Sequence, residues 1–231
     1  MFLVLPVGDK NPLRTTPVVT WALILANVAI SFYYMLYRPD RAEPIVNEYA
    51  LRPGQWHDLK TLISSMFLHG DLLHLFGNML FLYIVGDNIE DRVGHVPYLL
   101  FYLLAGIAGS AAHVAYTLLL AKANADIPTV GASGAISGMI GAYLVFFPGG
   151  KIKFMVWIIL FIRYFTLPAW GAIGFWIAGQ VMMARDQLSG IAKGDAQRVA
   201  VFAHLGGAAF GFVVAFLVRT FGKPPKKPSS D

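Results

Sequence analysis

The sequence predicts an all-α, polytopic membrane protein with six transmembrane helices. Three observations predict it. Of 231 residues, 57% are hydrophobic and only 13% charged, against about a quarter charged in soluble domains. The mean hydropathy is +0.60. Apolar runs long enough to cross a bilayer, which takes about 20 helical residues, recur along almost the whole chain, so no separate soluble domain is expected.

The spans follow in order. Residues 1–16 form a short N-terminal segment whose apolar patch has no basic residue before it and an early proline, so a cleaved signal peptide is not expected. The first span is Pro17 to Tyr37. The charged stretch from Arg38 to His69 is too long for a tight turn and holds short apolar pieces, and long ordered loops usually have a job. It reads as a partly helical insertion in the membrane interface, with Trp56 as an anchor. The second span runs from Leu72 to Val85 and ends in the charged cluster "GDNIEDR"; the third is Val96 to Leu120. The fourth, Val130 to Phe147, is short, and Pro128 biases Ile127 away from helix. A loop that dips into the protein there would start this helix below the membrane surface, with Ser133 in its first turn and free amides around it. From Ile152 to Met183 the apolar run exceeds one crossing and Pro168 interrupts it, giving an interfacial or re-entrant piece and then a fifth span from Pro168 to Met183. The sixth is Val199 to Phe221.

With the N-terminus inside, the basic residues favour the inner side, with Lys10, Arg14, Arg92, Lys151, Lys153, Arg163, Arg219, Lys223, Lys226 and Lys227 against Arg38, Arg41, Arg52, Lys60, Lys122, Arg185, Lys193 and Arg198. An even span count puts both termini on that cytoplasmic side. The membrane domain is 17–221, and the Lys-, Pro- and Ser-rich end, 222–231, reads as a disordered basic tail near anionic lipid rather than nucleic acid. The minimal architecture suggests a bacterial inner membrane.

Polar groups inside a bilayer are expensive and need a partner or a function. The thirteen Asp and Glu all fall in loops or at span ends, and there is no cysteine. An aspartyl protease, which needs two carboxylates at depth, is therefore excluded, as are thiolate nucleophiles, disulfides and thiolate metal sites. None of the six histidines begins HExxH, which removes that metalloprotease class. Proton-driven transport loses its usual membrane carboxylate and a channel its inverted repeat. No metal and no cofactor is expected.

What remains inside the spans is Ser133, Ser137, His74, Asn78, His113 and His204. A serine becomes a nucleophile when a base takes its proton, and imidazole titrates in the right range. Without a carboxylate the pair would act as a dyad held by helix packing. His74 and Asn78 lie four apart, one turn from each other on one helix face, suited to an oxyanion. His69 lies nearer the loop and is a weaker candidate. The stretches "GASGAISGMIG" and "AHLGGAAFG" each carry GxxxG, Gly134 to Gly138 and Gly207 to Gly211, and small residues let two backbones approach closely. That packing would bring Ser133 to His204. Taken singly, "GASG" more often marks helix packing than catalysis, His74 with Asn78 suits a structural pair equally well, and His113 reads as a satisfied core residue. Trp157, Trp170 and Trp176 read as anchors or packing.

Three stretches on three spans resemble the rhomboid intramembrane serine proteases: "HGDLLHLFGNMLF" with its HxxxN step, "GASG", and "AHLGG". The similarity covers Pro17 to Phe221. It implies a six-helix bundle in which Ser133 attacks the scissile carbonyl and His204 serves as base and then acid. His74, Asn78 and the Ser133 backbone N–H would hold the oxyanion. The substrate would be a transmembrane protein cut where its helix unwinds, entering beside the fifth span, with water arriving from the outer side. Three departures stand out. Trp56 is followed by His57 where many members have Trp-Arg; Ser137 stands where some place an aromatic ring against the histidine, leaving Phe210 or a backbone contact to support His204; and Val199 and Ala200 stand where a glycine often precedes that histidine. A rhomboid-like protein that binds and guides membrane proteins without cutting them is the alternative. Oligomeric state is not legible.

Overall fold

The computed structural model describes residues 2–159, 161–192, 194 and 199–222. The tail from 223 onward, together with Lys193 and Arg198 of the charge comparison, lies outside the described residues. The chain is mostly helical. It begins with β1 (Phe2–Asp9) and α1 (Val18–Phe32), which a π-helical turn, Tyr33–Tyr37, extends. The short helices α2 (Ala42–Tyr49) and α3 (Leu59–Ser64) follow, then the long α4 (Leu72–Val93) and α5 (His95–Leu120). Next come α6 (Ser133–Phe146), the hairpin β2 (Lys151–Ile158) and β3 (Phe161–Pro168), α7 (Ala169–Leu188) and α8 (Val201–Phe221).

Four helices among the described residues, Val18–Tyr37, Leu72–Val93, His95–Leu120 and Val201–Phe221, are long and apolar enough to cross a membrane. The 20-residue α7 and the short apolar α6 complete a set compatible with six spans. At 14 residues, α6 is roughly 21 Å long, against about 30 Å of hydrocarbon. Its N-terminus therefore lies below the surface if its C-terminus reaches the opposite one.

α6 sits at the centre, with eleven of its residues buried, and α8 lies against it at backbone contact. A Cβ on Gly207 would overlap the carbonyl oxygen of Gly134, and one on Gly211 that of Gly138. Only glycine allows this approach, which is the work of the two GxxxG stretches. Tyr98, Tyr102 and Tyr143 fill the core around α6 and are fully buried.

The second span differs from expectation. α4 continues two turns beyond Val85 and carries Asp87, Glu90 and Asp91 on a helix rather than in a loop. These charges have partners from elsewhere in the chain. Glu90, fully buried, accepts from the backbone N–H groups of Val19 and Thr20 at 2.9 and 2.7 Å and from the Thr20 hydroxyl at 2.7 Å. It thus supplies the anionic cap that the first turn of α1 lacks locally. Asp91 accepts from the Arg14 side chain and from the backbone N–H groups of Arg14 and Thr15.

The sheet is the other correction. Residues 1–16 contain strand β1, and the piece expected to be interfacial or re-entrant is a β-hairpin. Together they form an antiparallel sheet of order β1-β2-β3, joined to the bundle at the end that carries the start of α1 and the C-termini of α4 and α6. There Asp9 accepts from the Tyr143 hydroxyl at 2.7 Å and from Asn11 at 2.8 Å, and burial pushes its carboxyl above the usual range despite these bonds.

The insertion after α1 is partly helical, as expected. It packs on the connection before α6: Leu51 and Thr129 exchange backbone hydrogen bonds at 3.1 and 2.7 Å, and the N–H of Gly54 donates to Ala125 at 2.8 Å.

Candidate active site

Ser133 is the first residue of α6. Two features set it there. Gly131 adopts φ +126°, a conformation that L side chains rarely reach, and any Cβ on it would stand 2.8 Å from Nε2 of His74. Its N–H donates to the Ser65 carbonyl at 2.9 Å, tying the turn to the first insertion. The helix then starts abruptly, leaving first-turn amides without intrahelical partners. Ser137, one turn on, donates its hydroxyl back to the Ser133 carbonyl at 2.6 Å.

His204 is in the first turn of α8. Its Nε2 lies 2.8 Å from the Ser133 hydroxyl oxygen, and its Nδ1 lies 2.8 Å from Oε1 of Gln180 on α7. Oε1 can only accept, so Nδ1 must carry the ring proton. Nε2 is left with its lone pair facing the serine, the tautomer a general base needs. Sequence reasoning did not single out Gln180. The available signal was an isolated amide in "GFWIAGQVMM", four residues after Trp176 and so on the same helix face. The Trp176 ring lies 6.3 Å from the His204 ring, centroid to centroid, so α7 supports His204 twice. Phe210 does not: it stacks on Phe101 at 6.0 Å.

His74 and Asn78 flank the glycine turn on α4. Asp71 caps this helix, accepting from the His74 N–H at 2.8 Å. Nδ1 of His74 accepts a long 3.4 Å bond from the Gly70 N–H, which leaves Nε2–H as a donor toward Gly131. Asn78 is buried, and its Nδ2 amide has no acceptor among the described residues. A buried donor without a partner costs about 1–3 kcal/mol, and beside Gly131 it is available to a ligand oxygen.

His69 is buried and sits edge-on to the His74 ring at 5.2 Å. Its Nδ1 lies 3.2 Å from the Ser31 hydroxyl, and its backbone is clamped by the Tyr34 hydroxyl at 2.6 Å on both sides. Burial, with a smaller effect from His74, pushes its pKa down to about 3; it is a neutral wall to His74. His113, expected to be a satisfied core residue, is only half satisfied. Its Nε2 meets the Thr129 hydroxyl at 3.2 Å, whereas Nδ1 has no partner among the described residues. With Ser65, Ser110, Thr129 and Ser133 it forms the polar side of a small cavity behind the serine, whose remaining wall, including Leu51, Met66 and Val130, is apolar. In the first insertion, Trp56 is half-exposed and meets His57 edge-on at 5.5 Å.

The Rhomboid domain model matches residues 54–221, which contain all of these side chains except Ser31 and Tyr34. The chain belongs to the rhomboid family. It is 29% identical over 202 residues to Rhomboid protein 1, mitochondrial, of Saccharomyces cerevisiae, covering 86% of this chain and 52% of that protein. It is 29% identical over 190 residues to the Presenilin-associated rhomboid-like protein, mitochondrial, of Bos taurus, covering 82% and 45%. Over 91 residues it is 41% identical to the Rhomboid protease GluP of Bacillus subtilis, covering 39% and 16%. The chain thus spans about half or less of the length of these rhomboid relatives. As a rhomboid it is a multi-pass membrane protein. Relatives named for mitochondria stand beside the bacterial one, so the similarities give the expected bacterial inner membrane no support.

Proposed function

We propose that this rhomboid is an intramembrane serine endopeptidase working through a Ser133–His204 dyad. The observation that carries the proposal is the 2.8 Å approach of Ser133 Oγ to His204 Nε2, with Nδ1 tied at 2.8 Å to Gln180. His204 takes the Ser133 proton as the oxygen attacks a scissile carbonyl. Positive charge then forms on the imidazole, and the Gln180 oxygen stabilises it through Nδ1–H. The carbonyl oxygen becomes an oxyanion, received by the Ser133 N–H, the free Asn78 amide and the His74 Nε2–H. Collapse of this intermediate breaks the C–N bond, and His204 gives its proton to the leaving amine. Water then attacks the acyl-serine, His204 again acting as base, and the carboxylic product leaves with Ser133 restored.

The substrate is a transmembrane protein in the lipid bilayer, presented beside α7 where its helix unwinds to an extended strand. A non-catalytic, membrane-protein-guiding role is the competing reading. The complete set of nucleophile, base and unpaired amide donor argues against it, because binding alone has no use for a serine bonded to a correctly protonated imidazole. A fluorophosphonate probe separates the two: it is expected to label the detergent-purified protein and not Ser133→Ala. Labelling that persists in this variant moves the nucleophile elsewhere, and absence of labelling in the parent favours the guiding role.

A further inference from the structure

The sheet has a composition that water does not explain. Its outer half is mostly apolar on both faces: Ile158, Val156 and Phe161 point to one side with Arg163 among them, and Trp157, Ile162 and Tyr164 to the other, as the alternation of strand side chains requires. Exposure is high, with Phe161 71%, Ile159 66%, Tyr164 57% and Ile162 50% accessible. The tip is the reverse of a solvated hairpin. Connections of this length favour Asn-Gly or Gly-rich pairs, which tolerate positive φ, yet here Ile159, a β-branched residue, is held at φ +52°. Trp157 donates its indole N–H to the Ile159 carbonyl at 2.8 Å, satisfying a turn acceptor that would otherwise need water. The charges nearest the outer half are positive. Arg163 stands within it on β3, opposite Val156, and Lys153 on β2 brings its ammonium to 4.4 Å from the Tyr164 ring centre, while Lys151 lies at the bundle end opposite Pro168. Asp9, the only acid among the described residues of the sheet, is engaged at the bundle end.

We propose that this sheet is a lipid-binding paddle, its tip seated at the headgroup–acyl boundary of an anionic leaflet at the end of the bundle that carries the start of α1. Continuity and charge decide the occupant. β3 runs directly into α7 and β1 leads into α1, so the sheet stands beside the leaflet its own helices enter. Aromatic and basic side chains are the pair that interfacial elements use. The backbone sets the depth: β3 is an outer edge of the sheet, and an open edge is not tolerated in hydrocarbon. The paddle therefore lies in the interface rather than re-entering the bilayer. Because β3 continues into α7, lipid contact also fixes the root of the helix that carries Gln180. The proposal does not rest on the protease reading.

The test uses the whole 231-residue chain, which has no cysteine, so Phe161→Cys takes a single NBD label without background. The labelled protein is placed, one copy per disc, in nanodiscs of phosphatidylcholine and phosphatidylglycerol. Blue-shifted emission is expected, together with stronger quenching by a doxyl group near the acyl ester than by one at the chain end, matching a depth of about 5–10 Å. Replacing Lys151, Lys153 and Arg163 with Gln should weaken that quenching without altering protein stability. Quenching by aqueous iodide with none by doxyl lipid overturns the proposal. So does label self-quenching that appears only in multi-copy vesicles while doxyl lipid has no effect, which would make a second copy the occupant.

Discussion

Gln180 offers the sharpest test of how the site works. In the ground state it accepts a neutral bond from Nδ1–H of His204 at 2.8 Å, worth about 1 kcal/mol net. In the transition state of the proposed reaction the ring is an imidazolium and the same bond becomes charge-assisted, worth about 1.5–3 kcal/mol. The difference, about 0.5–2 kcal/mol, is stabilisation present only in the transition state, and its middle lies close to the value of about 1.4 kcal/mol that corresponds to about tenfold in rate. Gln180→Met keeps the length and packing of the side chain but removes the acceptor. Assayed on a model transmembrane substrate in detergent and in liposomes, it is expected to lower kcat about tenfold. KM should be nearly unchanged, because the residue faces the histidine and the loss lies in the transition state. Gln180→Glu, which keeps an oxygen at the same reach, is expected to recover most of the turnover. A Met variant within about twofold of the parent kcat, well short of that decade, would refute the argument and leave His204 oriented by packing alone.

Three further expectations follow from the geometry. Asn78→Ala should lower kcat about a hundredfold, the usual scale for one oxyanion donor, without loss of thermal stability, since its Nδ2 has no partner among the described residues; an unchanged rate would make the amide structural. Gly211→Val must push α8 off the Gly138 carbonyl. Thermal unfolding in detergent should show a loss of at least about 1–3 kcal/mol, and probe labelling should fall because Ser133 and His204 sit at the mouth of the same interface; normal labelling would show that the close approach is dispensable. His69 is held neutral with its pKa lowered to about 3. A depressed histidine pKa means that the unfolded chain binds the proton first, so its stabilising contribution is full above pH about 6.5 and declines as pH falls toward 3, by about 2 kcal/mol at pH 5. A melting series from pH 7 to pH 4 should therefore slope less steeply for His69→Phe than for the parent, and parallel slopes would reject this account.

Much of the candidate site was legible because membranes simplify the sequence code. In hydrocarbon the few polar side chains stand out, so Ser133, His74, Asn78 and His204 announce themselves against apolar neighbours, and GxxxG spacing indicates which helices touch. Gln180 was equally visible as an isolated amide, yet nothing local distinguishes an amide that orients a histidine from one that packs. The sheet was less legible. Its strands place apolar residues on both faces over most of their length, so they lack a sustained period-two alternation of the kind that marks a half-buried strand, and β1 pairs with a hairpin about 150 residues away. The buried Glu90 misled for the same reason: its partners are the amides of α1, some seventy positions earlier.

The sequence by itself determined the solvent of this protein, the helices that solvent demands and the chemical inventory left inside them, because apolar length and polar scarcity are properties of a chain read in order. Only the tertiary structure decided which atoms meet. The tautomer of His204, the orphaned Asn78 amide, the carboxylate capping α1 and the strand that completes the sheet each join groups far apart in the chain, and no local pattern encodes a distance across a bundle.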